Sequence, residues 1–335
     1  MENDTAEVEP LDDALQRAWR QHLTMRHRPA EHRYRRFQIP KRADDPSAGF
    51  RDIASPDEEL RVMQRRIVRM LDLLPLAPSD AAHAYRHGRS IRTMAEPHVR
   101  ARWMVKIDLR HFFPSISPAH LFRELLRGRL RTAVPAALVQ LIEAWCFLDG
   151  GLPMGGPSSP ALSNIAACGL DRRMRGLARR WSKGSVDAVA YTRYCDDFVL
   201  SSDTQNVKFA LPFVRRIVED CGFEVNNDKV RVYGPRSRRI VCGVSTATVI
   251  GAPGAWRNSV LRCGLFNRCR DAARGARVED AEMAVWRGRV AHATNLNPEQ
   301  TRALRAAVDR LARLRGPRET WPGDVVAWAA RWTPS

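Results

Sequence analysis

Ala188-Val189-Ala190-Tyr191-Thr192-Arg193-Tyr194-Cys195-Asp196-Asp197-Phe198-Val199-Leu200-Ser201-Ser202 sets two adjacent carboxylates between two β-prone runs. That pattern predicts a hairpin with charge at its tip. Side by side, Asp196 and Asp197 repel one another unless a cation neutralises them or one keeps its proton. A hard divalent ion held through oxygen ligands resolves the conflict. Taken alone, two acids in a turn are no more than a solvated loop, so the reading depends on what accompanies them.

Two other segments do. Val105-Lys106-Ile107-Asp108-Leu109-Arg110-His111-Phe112-Phe113-Pro114 puts an acid inside a strand-like stretch, followed by two aromatics and a proline stop. Between the acidic sites lies Gly151-Leu152-Pro153-Met154-Gly155-Gly156-Pro157-Ser158-Ser159-Pro160-Ala161-Leu162-Ser163-Asn164. Its glycines allow the backbone close to a ligand. Ser158 or Ser159 is placed to cap a helix with Pro160 in its first turn. A helix N-terminus beside flexible glycines suits phosphate.

In this order the three segments resemble motifs A, B and C of the reverse transcriptases, with Tyr194–Asp197 as the YxDD box. The likeness runs from about residue 58 to about residue 312. Within that family the chain is most similar to the compact bacterial retron enzymes, through His87-Gly88-Arg89-Ser90-Ile91 followed by Ala95-Glu96-Pro97-His98. Trp286-Arg287-Gly288-Arg289-Val290 and Asn295-Leu296-Asn297-Pro298 add to it.

The resemblance implies an α+β right-hand polymerase: fingers, a palm with an antiparallel sheet, and a helical thumb. It implies attack by a primer 3′-hydroxyl on the α-phosphorus of a deoxynucleoside triphosphate. Two Mg²⁺ ions about 3.5–4 Å apart, with Mn²⁺ as a substitute, would bridge the attacking and leaving oxygens. Asp108 and Asp196 would be the shared ligands, Asp197 a supporting one, and the Leu109 carbonyl would complete the nucleotide-side metal. Phe113 matches the steric gate against a ribose 2′-hydroxyl. Lys229 matches the motif D lysine that protonates departing pyrophosphate. Arg89 and Arg92 are expected near the triphosphate, Met154 and Gly155 near the nucleotide and template base. Met154 stands where the family usually has glutamine, and Cys195 where alanine is commoner. Met94 replaces the Asn opening the retron Asn-Ala-x-x-His signature, and Val241-Cys242-Gly243 replaces Val-Thr-Gly.

Bulk composition agrees. The 335 residues carry 55 Lys+Arg against 37 Asp+Glu, a net charge of +18, which asks for a polyanionic partner. Arginine predominates, as phosphate contacts favour. Expected partners are a structured non-coding RNA serving as template and primer, dNTPs, the RNA–DNA hybrid product, and an effector or toxin protein. No run of 18 or more apolar residues exists, so no membrane span is expected. Seven singly scattered cysteines and a start without a basic and apolar leader suggest reduced thiols and a cytoplasmic home.

Along the chain, residues 1–57 read as an acidic tip over 1–14, a basic extension and a linker over 44–57. From Arg17 to Arg42 nine Lys/Arg accompany Trp19, Tyr34 and Phe37, suiting either RNA contact or a helix lying on the enzyme itself. Residues 58–104 read as fingers and 105–255 as palm, with a fingers insertion at about 118–150. Residues 256–335 read as helical thumb and tail. Two other functions fit: a defence-associated or abortive-infection reverse transcriptase making protein-primed or untemplated DNA, and a non-catalytic RNA-binding scaffold restraining a toxin. The three intact aspartates weigh against the scaffold.

Overall fold

A computed structural model describes residues 10–41, 47, 49–76, 78–127, 133–182, 188–247, 249–316 and 318–330. The chain divides into two compact units, Met1–Ser90 with Val105–Val232, and Ile91–Met104 with Tyr233–Ser335.

In the first unit, a helix over Leu11–Met25 packs on the helices Glu58–Asp72 and Ala136–Trp145. Trp145 Nε1 donates to His22 Nδ1 at 3.1 Å, and Arg66 to Gln21 Oε1 at 2.6 Å. This stretch therefore lies on the protein's own surface, and the expected acidic tip ends before Leu11; residues 1–9 fall outside the described ones. Strands β1 (Tyr34–Pro40) and β2 (Phe50–Pro56) form an antiparallel hairpin in which Phe37 faces Ile53. The linker expected over 44–57 is thus a strand from Phe50 onward. Its Ser, Pro and Asp content and its lack of an apolar alternation gave no strand signal.

Helix Glu58–Asp72 starts where Asp57 accepts the Leu60 N–H at 2.8 Å, a cap worth about 1 kcal/mol. It buries Leu60, Met63, Ile67, Met70 and Leu71 along one face, as their spacing predicts. The centre of the unit is a four-stranded sheet in the order β4-β5-β3-β6, from β3 (Trp103–Asp108), β4 (Val189–Tyr194), β5 (Asp197–Ser202) and β6 (Arg231–Tyr233). Strands β4 and β5 are antiparallel. Helix Cys168–Trp181 packs on β4 through Leu170, Met174, Leu177 and Ala178. A single residue, Ala167, separates it from the preceding helix Ser159–Ala166. Pro212 sits in the first turn of Leu211–Asp220, where its missing N–H leaves no bond unmade.

The second unit gathers Ile91–Ala95, the short hairpin of β7 (Ile240–Val241) and β8 (Val244–Ser245), and helices Phe266–Ala273, Asp280–Leu296, Arg302–Arg313 and Gly323–Ala330. Residues 91–104, grouped with the fingers by their place in the chain, belong here instead. Met94 is fully buried with its sulfur 3.4 Å from Cys242 Sγ, and the Arg100 N–H donates to the Thr246 carbonyl at 3.1 Å. Long-range contacts of this kind leave no periodic trace in the sequence.

Candidate active site

Three segments distant in the chain meet at one end of the sheet. Tyr194 pairs with Asp197, leaving Cys195 and Asp196 as a two-residue turn, and Cys195 takes the left-handed φ of 58°. Such turns need a positive φ to match strand twist. The Leu109 N–H donates to the Asp196 carbonyl at 3.0 Å, which ties the turn to the end of β3. On the other side the Asp108 carbonyl accepts from the Asn226 N–H at 2.8 Å, and the Arg110 N–H donates to the Glu224 carbonyl at 2.8 Å. Asp108, Leu109, Asp196 and Lys229 are thus assembled by main-chain bonds between neighbouring segments, before side chains contribute.

The side chains show the electrostatic consequence. Burial, and then the negative charges of Asp197 and Asp108, hold the Asp196 carboxyl above the usual carboxylate range. Lys229 Nζ lies 3.1 and 3.0 Å from the two Asp108 oxygens, and Asn226 Nδ2 donates to the first of them at 3.1 Å. Lys106 Nζ stands 3.1 Å from Asp197 Oδ2. Among the described residues no three His, Cys, Asp or Glu side chains form a ready metal cage. The donor chemistry still suits a hard divalent cation: Asp108 and Asp197 each hold a lysine ammonium, and Asp196 feels the negative charge of both. The Lys229 side chain is 60% exposed and so can be displaced at little cost.

Phe113 is half-buried, its ring centroid 6.4 Å from that of Tyr85. Phe112 behind it is buried and stacks toward Phe223 at 5.4 Å. The Met154 carbonyl accepts from the Ala54 N–H at 2.8 Å, so the glycine–proline loop docks on β2. Gly155 has φ 115°, and a Cβ there would come within 2.8 Å of the Ala54 carbonyl; only glycine fits. Ser158 and Ser159 are buried and neither caps the helix as expected. Ser159 Oγ donates instead to the Pro153 carbonyl at 2.7 Å, folding the loop on itself. Arg89 is exposed in the first unit. Arg92 belongs to the second, bonded to Glu96 Oε1 at 3.2 Å and the Asn295 carbonyl at 3.1 Å.

Sequence reasoning passed over a network behind the turn. Arg193 and Asp171 are fully buried and joined by two bonds of 2.8 Å; Tyr191 also donates to Asp171, at 2.8 Å. The remaining Arg193 nitrogen donates to the Cys195 carbonyl at 3.1 Å and to Asn164 Oδ1 at 3.3 Å. An arginine inside an apolar strand, and an acid on the buried face of a helix, were the available signals.

A family model described as "Reverse transcriptase (RNA-dependent DNA polymerase)" matches residues 39–247. The chain belongs to this family. This reverse transcriptase is 37% identical over 317 residues to the retron Mx65 reverse transcriptase of Myxococcus xanthus, covering 88% of the chain and 67% of that relative. It is 33% identical over 217 residues to the retron Ec86 reverse transcriptase of Escherichia coli, covering 64% and 63%. The family is therefore represented here in its bacterial retron type, and the matches span roughly two thirds of those relatives' lengths. Apo telomerase from Candida tropicalis shares the fold at TM-score 0.52 and 11% identity, over 91% of this chain and 59% of that one. The architecture is the right-hand polymerase fold, with mixed helices and an antiparallel palm sheet. No helix among the described residues is long and apolar enough to cross a membrane.

Proposed function

We propose that this reverse transcriptase copies a structured non-coding RNA into DNA, with Asp108 and Asp196 as the shared metal ligands and Asp197 in support. The observation that carries this reading is the 3.0 Å bond from the Leu109 N–H to the Asp196 carbonyl, which sets the Asp108 strand beside the acidic turn. Two divalent ions, Mg²⁺ with Mn²⁺ as a substitute, would supply charge neutralisation at the attacking and leaving oxygens. The chain's own groups position and protonate. Asp108, Asp196 and the Leu109 carbonyl hold the reacting end, and Asp197 is kept in place by Lys106. Lys229 rests on Asp108 in the absence of substrate and serves as the acid for pyrophosphate when released from it. Phe113 excludes a ribose 2′-hydroxyl; Met154 and Gly155 border the nucleotide and template base; Arg89 draws in the triphosphate.

The net charge of +18 supports a nucleic-acid template, primer and hybrid product, with binding that weakens steeply as salt rises. Likeness to retron enzymes supports a structured RNA partner, a cytoplasmic setting, and anti-phage defence through an effector protein. Residues 58–90 serve as fingers, 105–255 as palm, and 256–335 as thumb and tail.

Primer extension on an RNA template with Mg²⁺, wild type against Asp196→Ala, tests the site. Extension by wild type alone is expected; extension surviving the substitution rejects the assignment. Sequencing the nucleic acid that copurifies tests the template. A product copied from one defined RNA is expected, and untemplated or protein-linked DNA would favour the abortive-infection alternative.

A further inference from the structure

Tyr85 combines three features that together mark a substrate contact. It is a non-glycine residue at φ 57°, its side chain is 52% exposed, and it stands at the acidic turn with its hydroxyl 3.5 Å from Cys195 Sγ. A bulky residue in the left-handed region is strained and persists only where its surroundings over-determine it. Here they do. The Arg193 N–H donates to the Ala81 carbonyl at 2.7 Å and the His83 N–H to the Arg193 carbonyl at 2.8 Å, so residues 81–83 run beside β4. Asn164 Nδ2 holds the Ala84 carbonyl at 2.9 Å, immediately before Tyr85. Beyond it, Arg86 Nη1 donates back to the carbonyls of Ser79 and Ala82, at 2.7 and 3.0 Å.

The ring is supported as firmly as the backbone. Phe223, Phe112, Phe113 and Tyr85 form a continuous aromatic series with centroid spacings of 5.4, 5.7 and 6.4 Å. It starts in the core, where Phe223 and Phe112 are buried, and ends at the half-exposed Tyr85. The left-handed backbone thus holds a half-exposed ring at the acidic turn.

We propose that Tyr85 forms a second wall of the nucleotide pocket, adjoining Phe113, its ring packing against the base–sugar part of the incoming deoxynucleoside triphosphate. This rests on the polymerase reading above. The Cys195 contact fixes the ring's tilt, and the aromatic face supplies the affinity. Every base has a π-face, so the contact is indifferent to base identity.

Steady-state extension on one primer–RNA template duplex, varying dNTP and duplex separately, tests it in the full chain. Tyr85→Gly removes the ring while relieving the left-handed strain, so its melting temperature should stay within a few degrees of wild type. Its KM for dNTP should rise by about tenfold, the lower part of the range for losing one base–aromatic stack, with the KM for duplex unchanged. Tyr85→Phe should restore the dNTP KM to within about threefold, because the ring remains. Tyr85→Leu, which keeps bulk without an aromatic face, should behave as Tyr85→Gly. An unchanged dNTP KM in Tyr85→Leu, or a rise confined to the duplex KM, overturns the proposal. Failure of wild type to extend any primer would instead overturn the polymerase reading on which it stands.

Discussion

Two groups of charges meet at one hairpin of this chain, and they are built in opposite ways. Asp171 and Arg193 are sealed from solvent, joined by two bonds of 2.8 Å, and each makes further bonds, to Tyr191, Asn164 and the Cys195 carbonyl. Asp108, Asp196 and Asp197 are gathered at one end of the sheet with more negative than positive charge, and the lysine on Asp108 is mostly exposed. A sealed pair keeps its charges because neither partner can leave. An open cluster with an excess of one sign suits a ligand of the other. The first fixes the hairpin's geometry; the second is where we propose that the chemistry takes place.

The contrast is most exposed to failure at Asp196. Asp196→Asn should lower primer extension by on the order of a thousandfold or more, as expected for a group acting in concert with others. Its thermal stability should equal or exceed that of wild type, since burial and two like charges disfavour the native carboxylate. A variant that melts well below wild type would mean that the open cluster is structural after all.

Removing one half of the sealed pair should do the reverse. Arg193→Met strands the Asp171 carboxylate in the core and should cost about 3–5 kcal/mol in denaturant unfolding. Adding Asp171→Leu removes the stranded charge and should recover most of that loss. If the single variant unfolds like wild type, the pair is not the rigid frame described.

Lys229 tests the open cluster from its positive side. Its exposed ion pair with Asp108 is worth at most about 1 kcal/mol, so Lys229→Met should barely change stability. Loss of a general acid should nonetheless slow the single-turnover rate by about a hundredfold. Lys229→Arg, which keeps the charge but gives up its proton poorly, should be slow as well.

The open cluster was legible in the sequence because carboxylates interrupt apolar runs at Asp108 and Asp196, and because the Gly151–Asn164 loop carries its own turn chemistry. The helix Glu58–Asp72 was legible from periodicity and the Asp57 cap. What escaped was long-range: Tyr85 reads as one aromatic in a basic stretch, and only the pairing of residues 81–83 with Arg193 brings it to the acidic turn. Asp171 and Arg193 lie 22 residues apart, and neither local sequence names the other. The allegiance of residues 91–104 to the second unit was hidden in the same way, in a thioether and one main-chain bond. The strand Phe50–Pro56 was missed for a different reason: its composition is turn-like and neither face is apolar.

The smallest effect belongs to His83, which sits beside the sealed pair and is itself buried. Burial lowers its pKa to about 4, assisted by the positive charges of Arg89, Arg86 and Arg193 against the opposing pull of Asp171. The unfolded chain takes up this proton near pH 6.5, whereas the native protein does so only near pH 4. The stability due to neutral His83 is therefore fully present above pH 6.5, is lost as pH falls through that window, and changes no further below it. The slope from this one group is at most about 1.4 kcal/mol per pH unit. His83→Gln should flatten the acid limb of a stability-against-pH curve by that amount and leave the pH dependence above pH 7 unchanged. An acid limb identical in wild type and variant would mean that His83 titrates normally, and that the sealed side of the comparison is wetter than its geometry indicates.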